Sequence, residues 1–550
     1  MNATMMGREA SSSPAARSRG AALDGTGTLI RFILRRERVG LPAWLLGLTA
    51  LLALFLRALS ELTATEEQRQ DLYRIMSGSV GAIFGPGYGR DDITAERYVV
   101  GVYGLFFFVL AALMSMLLVA RHTRAEEQSG RAELIRSGVV GRHASLTAAL
   151  IVAAGANVLL ALLLASTLTA YGHDGSDGLL FGASVGAIGL VFAGITAITA
   201  QITEYSRTAV GMAGAVLGVA WAVRAAGDMI RDYGSPLSWL SPLAWANQTR
   251  PYVDGRWWPL LLSLGLAAVA VAVGYSLSAR RDLGAGLVAA RPGAPAAAPW
   301  LRSPLAVVFR LQRSSLMWWT VALAASGLLV GGLGDQIADP VGMSERRIEI
   351  FGGSVDALLD GYLGMMALFL TVISGIMLVL GLQAVRGEEV EGRADPVLAT
   401  AISRWAWLGS YLTVLSLGVV GLLLATGVAT GLGTVLAGED VSYVWDMALA
   451  FLGHAPGVLV ILGVAAMLYG VFPRAIGVTW VLIGYSLFVA LFGTVMDLPG
   501  WAMNLSPMEH TGRPPLDGTS WSGTAILLAI AVGLMVAGLA AFRRRDLETR

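Results

Sequence analysis

The sequence predicts an all-α polytopic membrane protein with twelve transmembrane helices, arranged as two parallel six-helix repeats with both termini cytoplasmic. Three observations carry this. Hydrophobic residues make up 55% of the chain and charged residues only 14%, and the charges gather between long apolar runs. Those runs number twelve. A charged stretch between two of them, RAEEQSGRAELIRSGVVGR (Arg124 to Arg142), returns without a gap as RGEEVEGRADPVLATAISR (Arg386 to Arg404), an offset of 262 residues.

In chain order, the first 22 residues are poor in large apolar groups and are expected to be a disordered tail. They lack a signal peptide's apolar core. In LIRFILRRER, from Leu29 to Arg38, Ile30, Ile33 and Leu34 fall near one face among arginines, which predicts a helix lying along the inner leaflet. The first-half spans are read as Leu41 to Leu56, Val99 to Ala120, Leu146 to Ala170, Leu179 to Ala200, Val210 to Ala226 and Pro259 to Ser278. The second half gives Leu316 to Leu333, Gly364 to Val385, Leu408 to Leu436, Ala448 to Val471, Ile476 to Met496 and Gly523 to Phe542. Backbone groups in hydrocarbon must be satisfied within the segment, and no porin-like alternation is present, so these runs are helices.

Between the halves, GAGLVAARPGAPAAAPWLRS is rich in alanine, proline and glycine and reads as a cytoplasmic linker. The predicted organisation is therefore a tail (1–22), a first six-span half with its interfacial helix (23–283), the linker (284–303) and a second six-span half (304–550). Before the sixth span, SPLSWLSPLAWANQTRPY (Ser235 to Tyr252) holds three prolines and predicts a re-entrant or outer-leaflet hairpin. Its counterpart runs from Pro499 to Pro515.

Orientation follows from arginine, which supplies all 39 basic residues because the chain has no lysine. With both termini inside, 27 of the 39 arginines lie on inner segments, in accord with the positive-inside bias. The repeated charged loops are then cytoplasmic. Other echoes extend the duplication: Arg280, Arg281, Asp282 and Leu283 return as Arg544, Arg545, Asp546 and Leu547, and Leu240, Ser241 and Pro242 as Leu505, Ser506 and Pro507. Six spans per repeat leave both halves in the same orientation.

A net charge of +1 gives no reason to expect nucleic acid as a partner. The absence of cysteine excludes disulfides, thiolate metal sites and cysteine nucleophiles. Within the repeated loops, Glu126, Glu127, Gly130 and Arg131 match Glu388, Glu389, Gly392 and Arg393, and Glu133 faces Asp395. Adjacent glutamates on a helix point about 100° apart and do not converge on one substrate atom. The loops instead predict a short amphipathic helix with its acids near the positive N-terminal end and its glycine allowing close backbone approach. Arg131 and Arg393 would then meet a partner's carboxylate. A merely solvated loop helix is the plain alternative, and two gap-free copies weigh against it.

These features resemble the permease subunits of ABC exporters of the type-2 class, in the fused twelve-span form of actinobacterial polyketide-antibiotic (tetronasin-like) exporters. The resemblance rests on the six-span repeat, the N-terminal interfacial helix, the EExxGR loop after the second span and the long loop between the fifth and sixth, and covers almost the whole chain. It implies that the loops are coupling helices, with Glu126, Glu127, Gly130, Arg131, Glu133, Glu388, Glu389, Gly392, Arg393 and Asp395 docking two copies of a P-loop nucleotide-binding subunit. Pro396 in place of Leu134 suggests an earlier end or a bend in the second copy. A P-loop needs a lysine on the terminal phosphates, which this lysine-free chain cannot supply. ATP and magnesium would belong to the partner, and the permease itself would bind no cofactor or metal and do no bond chemistry.

The resemblance also places the first, second, fifth, seventh, eighth and eleventh spans around a substrate cleft. Tyr103, Phe107, Asn157, Trp221, Phe369 and Trp480 are the candidate cavity residues; Phe106, Phe108 and Tyr485 lie on the same spans. An apolar cavity suits a hydrophobic or amphiphilic small molecule. Each has a plainer reading as packing, and Asn157 as a helix-to-helix hydrogen bond. Arg224 and Asp228, four apart, read as a local ion pair. His454 is read as an interface residue, and Trp257, Trp258, Trp318, Trp319, Trp405 and Trp407 as an interfacial belt. An ion-coupled secondary multidrug or lipid transporter is the alternative; it would be expected to carry a mid-membrane carboxylate or histidine relay.

Overall fold

A computed structural model describes residues 22–546 apart from 64, 67–68, 71–87, 89–91, 132, 134–139, 232–233, 283, 289–294, 335–356, 493–497 and 517. Residues 1–21 of the expected tail, residue 134 and the end of the eleventh predicted span at Met496 lie outside the described residues. Twelve described helices are long and apolar enough to cross a membrane. The only extended pairing among the described residues is one isolated bridge, Gly512 to Thr519.

The chain divides into two compact units, Met1–Gly293 and Ala294–Arg550. In the first unit the spans are Gly40–Ser60, Ala95–Gln128, Ala144–Ala170, Gly175–Ile202, Ser206–Ile230 and Pro259–Ser278. The fourth is the most enclosed of these. It begins where Asp174 caps it, accepting hydrogen bonds from the amides of Ser176 at 2.9 Å and Asp177 at 3.1 Å. In the second unit the spans are Pro304–Gly332, Leu358–Val390, Arg404–Leu436, Tyr443–Val471, Pro473–Ala490 and Trp521–Arg544, and the tenth is the most enclosed. There Gly470 and Gly538 bring the tenth and twelfth helices together: a Cβ on Gly470 would stand 2.2 Å from the carbonyl oxygen of Gly538.

Several helices outrun their apolar cores. The seventh starts at Pro304, twelve residues before the predicted Leu316, because Ser303 caps it through the amide of Ala306 at 3.2 Å and Pro304 needs no partner in the first turn. The second contains a π-helical turn, Val99–Tyr103, which no apolar pattern announces. The N-terminal helix, Thr26–Arg36, forms as expected, but its buried residues are Leu29 and Ile33, while Leu34 is exposed. Leu29 and Ile33 pack on Leu118, Val119, Ala148 and Val152 of the second and third spans.

The stretch read as a linker starts strapped to its own half. The amides of Leu287 and Val288 donate to the carbonyls of Gln201 and Ile202 at 3.0 and 2.9 Å. The proline-rich loop before the sixth span folds into a 3-10 turn, Ser238–Leu240, and a short helix, Pro242–Asn247, whose Leu243 is fully buried.

Candidate functional site

The two charged loops share a turn and a set of ion pairs but leave their spans differently. Gly130 and Gly392 take φ of +73° and +70°, the left-handed conformation that ends a helix and favours glycine. Nothing lies within 4 Å of a Cβ built on Gly130. Within this chain the glycine is favoured there by its left-handed backbone conformation, and the space beside it is open.

After the second span the helix breaks at Thr123 (φ −118°, ψ −83°), whose hydroxyl bonds back to the carbonyl of Val119 at 2.6 Å. A five-residue helix, Arg124–Gln128, then carries Glu126 and Glu127. In the second half no break occurs: Glu388 and Glu389 sit in the last turn of the 33-residue helix Leu358–Val390. The expectation of acids at a helix N-terminus is thus met in the first copy and reversed in the second. Arginines compensate the unfavourable helix end. Pro396 lies in the first turn of a new short helix, Ala394–Leu398, where a missing N–H leaves no bond unmade.

In both copies the first glutamate pairs with the arginine of its own loop. Arg131 Nε lies 3.0 Å from Glu126, and Arg393 grips Glu388 with two bonds of 2.9 Å. The Glu388 bond holds the Arg393 guanidinium above its ordinary pKa. Both arginines thus pair with a carboxylate of their own chain while remaining about half exposed. Glu126 additionally binds Arg36 of the N-terminal helix, whereas Arg393 also reaches Glu391.

The second glutamate reaches much further along the chain. Arg281 donates from both η nitrogens to Glu127 at 2.7 Å, and Arg545 donates to Glu389 at 2.8 Å. The end of the fourth span of each half joins in: Gln201 accepts from Arg281 Nε at 2.7 Å, and the Tyr469 hydroxyl donates to Glu389. Arg142 Nη2 donates to the carbonyls of Ser278, Ala279 and Arg281, and Arg404 to that of Arg545, so the last arginine of each loop caps the end of the sixth or twelfth helix. Arg124, fully buried, bonds Glu127 and the carbonyl of Gly284. Glu133 and Asp395 remain exposed.

Arg281 and Arg545 were visible in the sequence as an echo, as were Arg142 and Arg404, yet no spacing connects them to the glutamates. Their joint recurrence with the loops was the available signal. Also unanticipated is buried Glu37, which contacts His122 Nε2 at 2.8 Å and Arg121 at 2.9 Å.

The candidate cavity residues differ in burial. Phe107 is fully buried, edge-on to Phe55 and Phe181. Asn157 is 1% exposed and donates to Ser115 at 2.8 Å, which makes it the helix-to-helix bond. Tyr103 stacks on Phe55 at 4.6 Å, Trp221 and Phe369 are partly buried, and Trp480 is exposed. Arg224 and Asp228 pair at 3.1 Å as expected, with Ser238 donating to Asp228 at 2.7 Å. His454 is fully buried against Thr511, and Trp407 is buried between Tyr411 and Phe542.

Residues 27–277 and 301–543 match the family described as the multidrug efflux system permease Rv1217c, C-terminal domain. The whole chain is also 37% identical, over 563 aligned positions covering 100% of both proteins, to the multidrug efflux system permease protein Rv1217c of Mycobacterium tuberculosis (strain ATCC 25618 / H37Rv). The chain belongs to the multidrug efflux permease family. As a member with twelve apolar helices among its described residues it is a multi-pass transport protein of the bacterial plasma membrane.

Proposed function

We propose that this chain is the membrane subunit of an ATP-driven exporter of hydrophobic or amphiphilic small molecules, polyketide-like antibiotics among them. Its two charged loops face the cytoplasm and dock two copies of a separate P-loop ATPase, which supplies the ATP and magnesium chemistry. The two six-span halves are parallel repeats, and closure of the ATPase subunits pushes the loops and reorients the halves to alternate access. Membership of the multidrug efflux permease family supports the transport role. The observation that carries the coupling role is the double recurrence of one arrangement, in which Glu127 and Glu389 are held by Arg281 and Arg545 while Glu133 and Asp395 stay exposed.

The exposed acids give the cleanest test, because reversing them disturbs no buried pair. The double variant Glu133→Arg/Asp395→Arg should insert normally, copurify poorly with a lysine-bearing P-loop ATPase, and lose export. Normal ATPase assembly and export in that variant would count against docking at these loops. Efflux abolished by a proton uncoupler at constant ATP would favour an ion-coupled carrier.

A further inference from the structure

We propose that Arg281 and Arg545 are positioning residues that clamp each charged loop to the last span of its own half, so that loop and span move as one body. The loops' part in coupling rests on the preceding functional reading; the clamp itself does not. Each arginine stands just beyond the last apolar helix of its half and reaches back about 150 residues in sequence: Arg281 to Glu127 across 154, Arg545 to Glu389 across 156. The pairs are shielded from water, with side-chain exposures of 8% and 12% in the first half and 13% and 1% in the second.

Burying two charges is unfavourable unless geometry and extra hydrogen bonds compensate, and each pair has both. In the first half Arg281 binds Glu127 bidentately and spends its Nε on Gln201. In the second, Glu389 takes its additional bond from Tyr469, over whose ring the Arg545 guanidinium lies at 5.3 Å. The end of the fourth span is thus tied in by an amide in one half and a phenol in the other. Two chemical solutions to one arrangement argue that the tie itself is what both halves need.

The tie is doubled through the backbone. Arg142 closes the carbonyls at the end of the sixth helix and Arg404 that of Arg545, joining the start of the next span to the same point. A push on the loop therefore meets three helix ends rather than a free hinge, and rigid transmission requires such a junction. Without the clamp, the first loop would pivot at the helix break at Thr123.

The chain has no cysteine, so single-cysteine spin labels report the clamp directly. Labels at Ser129→Cys and Ala399→Cys, both exposed, would be read in the full-length protein reconstituted in lipid, alongside ATP-driven export with the ATPase partner. Arg281→Gln should raise label mobility at 129 and leave 399 unchanged; Arg545→Gln should do the reverse. Each should lower export per ATP hydrolysed by about tenfold, the scale of a typical coupling free energy. The exchange Glu389→Arg/Arg545→Glu should restore low mobility at 399. Unchanged mobility in both single variants would overturn the clamp, and raised mobility with undiminished export per ATP would overturn its positioning role. If no ATPase associates with the wild-type chain, the functional reading fails, while the mobility data still decide the clamp.

Discussion

The two charged loops carry one motif in two mechanical settings. The first follows a broken helix and leans on the N-terminal helix through Arg36 and Glu126; the second extends a 33-residue span without interruption and holds Glu388 by Arg393 alone among the described pairs. What stays the same is the anchor beneath, Glu127 to Arg281 and Glu389 to Arg545. The repeat thus preserves the buried contact that fixes the loop's position, and leaves free how the chain reaches it. A stiff second loop and a braced first loop would transmit the same displacement by different routes.

The largest effect should come from the most enclosed anchor. Glu389→Arg sets a like charge against Arg545 at a side chain 1% exposed, and loss of a buried partner costs about 3–5 kcal/mol. A marked fall in thermal stability of the detergent-solubilised protein is expected, exceeding that for Glu127→Arg, whose site is 12% exposed. Equal losses would erase the distinction between the halves. Next comes packing: Gly470→Val drives a side chain into the backbone of Gly538, and overpacking of this kind costs about 1–3 kcal/mol. Thermal unfolding or reduced yield of inserted protein would register it.

A smaller and more selective effect follows from Arg36→Gln, which removes the brace on Glu126 and should cost about 1–2 kcal/mol locally. Limited proteolysis should become faster in the first loop and not in the second; equal acceleration in both would contradict the separate bracing. Smallest in stability is Arg393→Gln, because an exposed pair contributes less than about 1 kcal/mol. A clear loss of export with unchanged melting would then point to the loop surface rather than to folding.

Much of the membrane architecture was legible because long apolar runs admit no other structure in lipid, and twelve long apolar helices stand among the described residues. Their ends were not. The first turns of the seventh helix are set by the cap at Ser303 and contain Arg310 and Arg313, so an apolar window passes over them. A helix forms in the N-terminal segment as its sequence predicts, but Leu29 and Ile33, about one 3.6-residue period apart, form its buried line and Leu34 falls outside it. The loop motif was plain, yet its helix polarity was not: the residue before the shared motif is Thr123 in one copy and Val385 in the other, and only the threonine back-bonds to its helix. Contacts such as Arg281 to Glu127 join residues with no local periodicity between them. The echo of both motifs marked them as important, and the fold explained why they recur together.

In the proposed function, force enters this chain at two anchored loops from a separate ATPase. The most direct measurement is drug uptake into inverted vesicles holding the purified chain, with and without its ATPase partner, at fixed ATP and with or without an imposed proton gradient. Concentrative uptake is expected only when the partner is present, and should be lost when that partner's P-loop lysine is replaced. Uphill transport by the chain alone, driven by an imposed proton gradient, would contradict it.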